Sequence, residues 1–202
     1  MTIPSRIVLA SNNPGKIDEI NRMLRDTRIH VVSQSEFGIE EAVEDQPTFV
    51  ENALIKARHA SAAAGLPAIA DDSGLVVDAI RGEPGVISSR YSDPGANDER
   101  NIAKLLGKLK QMQGDDRNCR FRCLMVYVRH VADASPLIAD GTLHGRVHDR
   151  AQGDYGFGYD PVVWVPQLEC TLAELAPNEK NRISHRGKAL RSMVEQLLNE
   201  YH

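Results

Sequence analysis

Two hydrophobic periods alternate along this chain, and the switches between them outline its elements. Ile7 to Ala10 is a short apolar run after Arg6, the pattern of a buried strand. Asn12-Asn13-Pro14-Gly15 is turn chemistry. Ile17, Ile20 and Leu24 then recur on one face of a helix spanning about 16–26. Val31-Val32 reads as a second strand. Residues 34–46 lack clean periodicity and carry Glu36, Glu40, Glu41, Glu44 and Asp45. Pro47 suits the first turn of a helix, where its missing N–H costs nothing. Phe49, Val50, Ala53, Leu54, Ala57 and Ala60 continue that helix, and Gly65 ends it. Residues 67–70 and 75–80 read as two strands, with Asp71-Asp72-Ser73-Gly74 as the turn between them.

Residues 81–97 are rich in Gly, Pro and Ser and read as a long loop, a kind uncommon in compact domains and often functional. Ile102, Leu105, Leu106, Leu109 and Met112 mark another amphipathic helix. Residues 120–128 alternate and then turn apolar on both faces, as a strand entering a sheet interior does. Residues 136–147 read as its antiparallel partner, and the Gly-rich stretch 153–160 feeds a strand over 162–165. Ala189, Leu190, Met193, Val194, Leu197, Leu198 and Tyr201 outline a last helix. There is no internal repeat or linker. The pattern predicts one α/β domain over residues 1–202, with a mixed sheet, flanking helices and a two-lobed outline.

Composition narrows the class. Of the 202 residues, 42% are hydrophobic and 26% charged, ordinary values for a globular chain that can bury a core without staples. Twenty-four basic residues against 28 acidic ones give a net charge of −4, which argues against broad coating of nucleic acid or anionic membrane. No apolar run reaches the ~20 residues of a membrane-spanning helix. The first ten residues are too short and polar for a signal peptide. Cys119, Cys123 and Cys170 form an odd set without a CxxC pair, which fits a reducing compartment. The expectation is a cytoplasmic protein whose cysteines serve as small buried hydrophobes.

Four motifs carry candidate chemistry. In Ser11-Asn12-Asn13-Pro14-Gly15-Lys16, N–H groups at a helix start point at anions and Lys16 adds a full charge. The alternative there is a tight turn with a solvated lysine. Asp71-Asp72-Ser73-Gly74 places two carboxylates side by side, a set suited to Mg2+ or, more plainly, a polar turn. Phe157-Gly158-Tyr159-Asp160-Pro161 combines glycines with aromatics, so its backbone can approach a planar ligand while a ring stacks on it; the other reading is a packed turn. Ser184-His185-Arg186-Gly187-Lys188 precedes the last helix, with Lys180 upstream. Ser184 suits an N-cap, and cations at a helix N-terminus call for a compensating negative or polar group. Glu44 gains weight only if folding brings it to Asp71 and Asp72.

In this order and spacing the motifs resemble the inosine triphosphate pyrophosphatase family over nearly the full length, and its bacterial members in carrying DDSG. The segments concerned are LASNNPGKIDEI, VEDQPTFVENALIKARHA, ADDSGLVVDAIRGEPGVISSRYS, FGYDPVVWVP and ISHRGKAL. The resemblance implies Mg2+-dependent hydrolysis of ITP, dITP and XTP to the monophosphate and pyrophosphate. It also implies a long mixed sheet, two lobes around a substrate cleft, and a homodimer. By the same resemblance Ser11 through Lys16 hold phosphates, Asp72 accepts a proton, and Ser73 contacts substrate. Glu44 joins Asp72 as a metal ligand, with Glu41 as the other candidate because Asp45-Gln46-Pro47 departs from the family's Gly-containing run. Phe157, Gly158, Tyr159, Asp160 and Lys180 contact substrate, and His185 with Arg186 reads the base.

Two other functions remain open at this level. One is a Maf-type pyrophosphatase acting on pyrimidine or modified nucleotides, whose pattern around the first turn differs. The other is a nucleotide-binding regulator that does not hydrolyse, for which Asp72 is superfluous.

Overall fold

Seven strands form one mixed sheet: β1 (Arg6–Leu9), β2 (His30–Ser33), β3 (Ala68–Val77), β4 (Asn118–Val128), β5 (Leu137–Val147), β6 (Val163–Val165) and β7 (Cys170–Thr171). Their order is β2-β1-β3-β4-β5-β6-β7. The structure is a computed structural model that describes residues 4–12 and 14–200. β1 runs parallel to β2 and β3, whereas β6 is antiparallel to β5 and β7. Parallel neighbours need crossover connections. Helices α1 (Pro14–Leu24) and α2 (Phe49–Ala64) lie in the β1–β2 and β2–β3 connections. The remaining helices are α3 (Asp98–Lys108), α4 (Pro177–Ile183) and α5 (His185–Glu200). None of the described helices is long and apolar enough to cross a membrane.

The chain divides into two compact units. The first comprises Met1–Asp72, Cys123–Gly141 and Lys188–His202. Its strands sort their side chains by the period of two. Ile7, Leu9 and Ile69 pack with Ile20 and Leu24 of α1 and with Leu190, Met193 and Leu197 of α5. Val8, Ala10, Ala68 and Ala70 pack instead with Ala53, Ala57 and Ala60 of α2. Alanine on both sides of that second contact keeps side chains short between α2 and the sheet.

The second unit comprises Ser73–Arg122 and Thr142–Gly187. Its core joins Leu75 and Val77 of β3, Leu105 of α3, Phe121 of β4, Val147 of β5, Val163 of β6 and Leu172. Buried Arg117 ties the end of α3 to the end of β5, donating to Leu109 O at 2.9 Å and Val147 O at 2.8 Å. Cys119 and Cys123 are buried, each in a hydrophobic cluster, and burial pushes the Cys119 thiol up to about 12.

Four details depart from the pattern reading. Pro47 lies outside α2, because Thr48 is the N-cap and its side chain accepts from Glu51 N. Residues 68–77 form one ten-residue strand, so Asp71-Asp72-Ser73-Gly74 is not a turn. Local composition suggested a break there, but both carboxylates are neutralised by distant lysines. The stretch 81–97 is partly ordered by a 3-10 turn at Gly85–Arg90 and by the bridge between Val76 and Pro84. Helix α4 and strand β7, seven and two residues long, are too short to leave a periodic signal.

Candidate active site

Side chains of successive strand residues point to opposite faces, and this separates the two aspartates. Asp71 continues the Leu9–Ile69 face, and its carboxylate meets Lys16 of α1, with Nζ 3.0 Å from Oδ1 and 3.1 Å from Oδ2. Asp72 continues the Ala68–Ala70 face and meets Lys56 of α2, with Nζ 3.3 Å from Oδ1. Both carboxylates are nearly covered, at 1% and 6% residual exposure.

Lys56 also lies 3.1 Å from Glu44 Oε1, so a single ammonium joins Glu44 to Asp72. Asn52, one turn before Lys56, donates to Asp72 Oδ2 at 3.4 Å and to Gln46 O at 3.1 Å, and accepts from Gln46 N at 3.0 Å. It therefore pins the loop that carries Glu44 beside the strand that carries Asp72. Burial is the main force raising the Asp72 carboxyl above the usual carboxylate range. Lys56 pulls it down, while Glu44 and Asp71 push it further up. For Lys56 itself burial works against the charge, but Asp72, Asp71 and Glu44 outweigh it and hold the ammonium above its ordinary value.

Ser11, Lys16, Glu41, Glu44 and Lys56 line a cavity of about 180 Å3 in this unit. Ser33 Oγ donates to the Ser11 carbonyl at 3.1 Å. Asn12 Nδ2 donates to Glu41 Oε1 at 3.4 Å, so Glu41 turns to the first loop while Glu44 turns to Asp72. Pro14 and Gly15 open the backbone of α1, and Asn13 lies outside the described residues. Ser73 follows Asp72 along β3 and is half-buried.

The second unit gathers the other motifs. Phe157 is 51% exposed. Its ring centroid lies 4.7 Å from Lys180 Nζ and 5.5 Å from Arg186 Cζ. Asp160 is buried, pairs with Lys180 at 2.5 Å and accepts from Phe157 N at 2.8 Å. Gly156 makes room for that carboxylate: a Cβ there would lie 2.2 Å from Asp160 Oδ2, and its φ is +81°. Tyr159 turns inward, donating to Ser88 O at 2.9 Å, so its ring packs in the core and anchors the loop. Ser184 caps α5, accepting from Gly187 N at 3.0 Å. His185 stacks on Phe121 with centroids 4.6 Å apart, and Arg186 beside it is buried.

Lys56, Asn52 and Asp98 are the residues that motif reading passes over. Asn52 and Lys56 do carry a signal, since they sit four apart within an otherwise apolar helical run and so share a face. Asp98, whose Oδ2 accepts from Gly158 N at 2.6 Å, carries none.

The donor set suits a hard divalent cation. Glu44 and Asp72 present oxygens to one point now spanned by an ammonium. No group of three or more His, Cys, Asp or Glu side chains is arranged for a metal among the described residues. Two carboxylates with the remaining places left to water and phosphate match Mg2+, which keeps several waters.

The mixed sheet, with α1 and α2 packed on opposite faces of its β1–β3 part, makes this an α/β protein. The sequence matches the Ham1 family over residues 7–196, and the chain belongs to that family. A dITP/XTP pyrophosphatase from Thioalkalivibrio sulfidiphilus is 52% identical over 192 residues, 95% of this chain and 98% of that protein. One from Photorhabdus laumondii is 46% identical over 194 residues, 96% of this chain and 98% of that protein. Among solved structures, a HAM1 protein from Coxiella burnetii superposes with a TM-score of 0.92 at 44% identity, covering 98% of this chain and all of that one (100%).

Proposed function

We propose that this chain hydrolyses non-standard purine nucleoside triphosphates, namely ITP, dITP and XTP, to the monophosphate and pyrophosphate, and so cleanses the nucleotide pool. The observation that carries the reading is the single Lys56 ammonium shared by Glu44 and Asp72. That arrangement gathers acid groups and a cation where a triphosphate needs charge cancelled and a water needs a base. Water attacks the α-phosphorus, the bond from that phosphorus to the α–β bridging oxygen breaks, and pyrophosphate leaves. Asp72 accepts the proton of the attacking water. Lys16 and the backbone at the start of α1 bind phosphate oxygens. Glu44 and Asp72 hold Mg2+, which when bound screens the charge of the phosphate oxygens.

The second unit supplies the base-facing groups. Phe157 offers a face for stacking. Arg186 is always a donor, and His185 can be one, which favours a 6-keto oxygen over the 6-amino group of adenine. Exclusion of GTP needs a second device near position 2 of the base, which we assign to the loop from Phe157 to Asp160. We also infer a homodimer, which the family resemblance of the sequence motifs implies, and a cytoplasmic location, which the odd number of cysteines supports.

The test is pyrophosphate release from ITP, dITP, XTP, GTP and ATP, with Mg2+ and with a chelator. The expected result is Mg2+-dependent release of pyrophosphate from the first three. Orthophosphate as the first product, or ATP cleaved as well as ITP, overturns the reading.

A further inference from the structure

Beside the backbone bond from Asp160 N to Phe157 O, three bonds between a side chain and a backbone group help hold the short loop that carries Phe157. Asp160 Oδ2 accepts from Phe157 N at 2.8 Å, and the Tyr159 hydroxyl donates to Ser88 O at 2.9 Å. These two come from the loop's own side chains. The third comes from outside: Asp98 Oδ2 accepts from Gly158 N at 2.6 Å, across sixty positions of sequence. Gly158 has a φ of +62° and nothing within 4 Å of its missing Cβ, and the side chain that holds its N–H is the Asp98 carboxylate.

Asp98 is well placed to act as a fixed point. It opens α3, directly after Asn97, whose side chain caps the helix by accepting from Arg100 N at 2.9 Å. Ile102 and Leu105 seat the same helix on the core of the second unit. A charged acceptor strengthens a hydrogen bond to a backbone N–H. Because Asp98 is exposed, that bond adds little to global stability and acts mainly on position. What it positions is the neighbour of Phe157, whose ring centroid lies 4.7 Å from the Lys180 ammonium and 5.5 Å from the Arg186 guanidinium.

We propose that Asp98 is a positioning residue of the base-facing site, setting the place of the Phe157 ring through the Gly158 amide. The substrate named for it rests on the pyrophosphatase reading above. Asp98 touches no reacting group. Its loss changes how well the base is held, while the lysine-bridged carboxylates of the first unit are untouched.

The experiment compares wild type with Asp98→Ala, Asp98→Asn and Glu99→Ala. Glu99 shares the first turn of α3 and so controls for helix-terminal charge. For Asp98→Ala the KM for dITP rises about tenfold or more while kcat stays within about threefold, the pattern of lost ground-state binding. Inhibition by inorganic pyrophosphate, which has no base, stays at the wild-type level. Asp98→Asn keeps an acceptor oxygen and recovers most of the loss, and Glu99→Ala behaves as wild type. Hydrogen exchange of the 156–160 segment speeds up about tenfold in Asp98→Ala.

Unchanged kinetics in Asp98→Ala, an equal loss in Glu99→Ala, or kcat and pyrophosphate inhibition falling together overturns the proposal. Wild type that releases no pyrophosphate from dITP overturns the functional reading instead. In that case the exchange measurement still decides the brace, and unchanged exchange in Asp98→Ala overturns it.

Discussion

Asp71 and Asp72 are sequence neighbours on opposite faces of β3, each against its own lysine: Lys16 Nζ is 3.0 Å from Asp71 Oδ1, and Lys56 Nζ is 3.3 Å from Asp72 Oδ1. Asp72 shares its lysine with Glu44. Adjacent acids therefore have separable tasks. Asp72→Asn is expected to lower kcat by about 10²–10⁴-fold, the usual contribution of a general base. Nucleotide binding stays within about tenfold, because a single positioned group is lost rather than the phosphate site. Asp71→Asn instead loosens Lys16 and raises KM. Steady-state kinetics with binding calorimetry separates them, and near-wild-type turnover in Asp72→Asn removes that residue from the mechanism.

Lys56→Met removes the ammonium that bridges Glu44 and Asp72. Breaking a largely buried pair typically costs about 3 kcal/mol or more, because the remaining charge is left uncompensated. The variant is expected to unfold at lower urea in metal-free buffer and to regain part of the loss on adding Mg2+, more so than wild type. Equal urea midpoints with and without Mg2+ in both proteins contradict a cation site at these carboxylates.

Arg186→Ala addresses specificity. Sites built to hydrogen-bond one group can reject an analogue lacking it by as much as ~10⁴–10⁵. Measured as kcat/KM, the ITP:ATP ratio is expected to narrow because ITP loses a partner that ATP never had. Should both substrates lose equally, Arg186 holds phosphate rather than base.

Asp133 is expected to contribute to acid stability in the first unit. It accepts from Arg129 Nη2 at 2.7 Å, Arg129 N at 2.9 Å and Ser135 N at 2.9 Å. The Arg129 side chain is the chief reason its carboxyl sits well below the usual carboxylate range. A depressed carboxylate stabilises the fold above its unfolded value and loses that contribution as pH falls. Asp133→Ala is expected to cost about 2–3 kcal/mol at neutral pH, the range for hydrogen bonds to charged groups. The gap to wild type closes progressively below about pH 4. A gap independent of pH, in denaturation across that range, refutes the assignment.

Two helical glycines are expected to behave oppositely. A Cβ at Gly187 would lie 2.0 Å from the Asn181 carbonyl oxygen, whereas Gly107 has nothing within 4 Å. Gly187→Ala therefore displaces α4 or the start of α5, costing about 1–3 kcal/mol as overpacking does, and disturbs His185 and Arg186 beside it. Gly107→Ala gains about 0.5–1 kcal/mol of helix propensity. Thermal melts of both variants test this, and a neutral Gly187→Ala shows that the helices can part.

Alternating apolar and polar residues determined much of this protein without reference to its fold. Ile17, Ile20 and Leu24 mark α1, Ala53, Ala57 and Ala60 mark α2, and Leu190, Met193 and Leu197 mark α5, because each buries a stripe that recurs every three to four residues. The motifs at 11–16, 71–74, 157–160 and 184–188 were legible too, since turn and charge chemistry is local. The course of the chain through Asp71 and Asp72 was not. Two adjacent acids before a glycine favour a solvated turn until cations remove their charge, and those cations, Lys16 and Lys56, sit 55 and 16 positions away. Only the packing of α1 and α2 on opposite faces brings them to the strand. The same holds for the meeting of Glu44 with Lys56, since Asn52 on α2 ties down the loop between Glu44 and the helix. Periodicity records which side of an element is buried; which distant charge meets it there is set by tertiary contact.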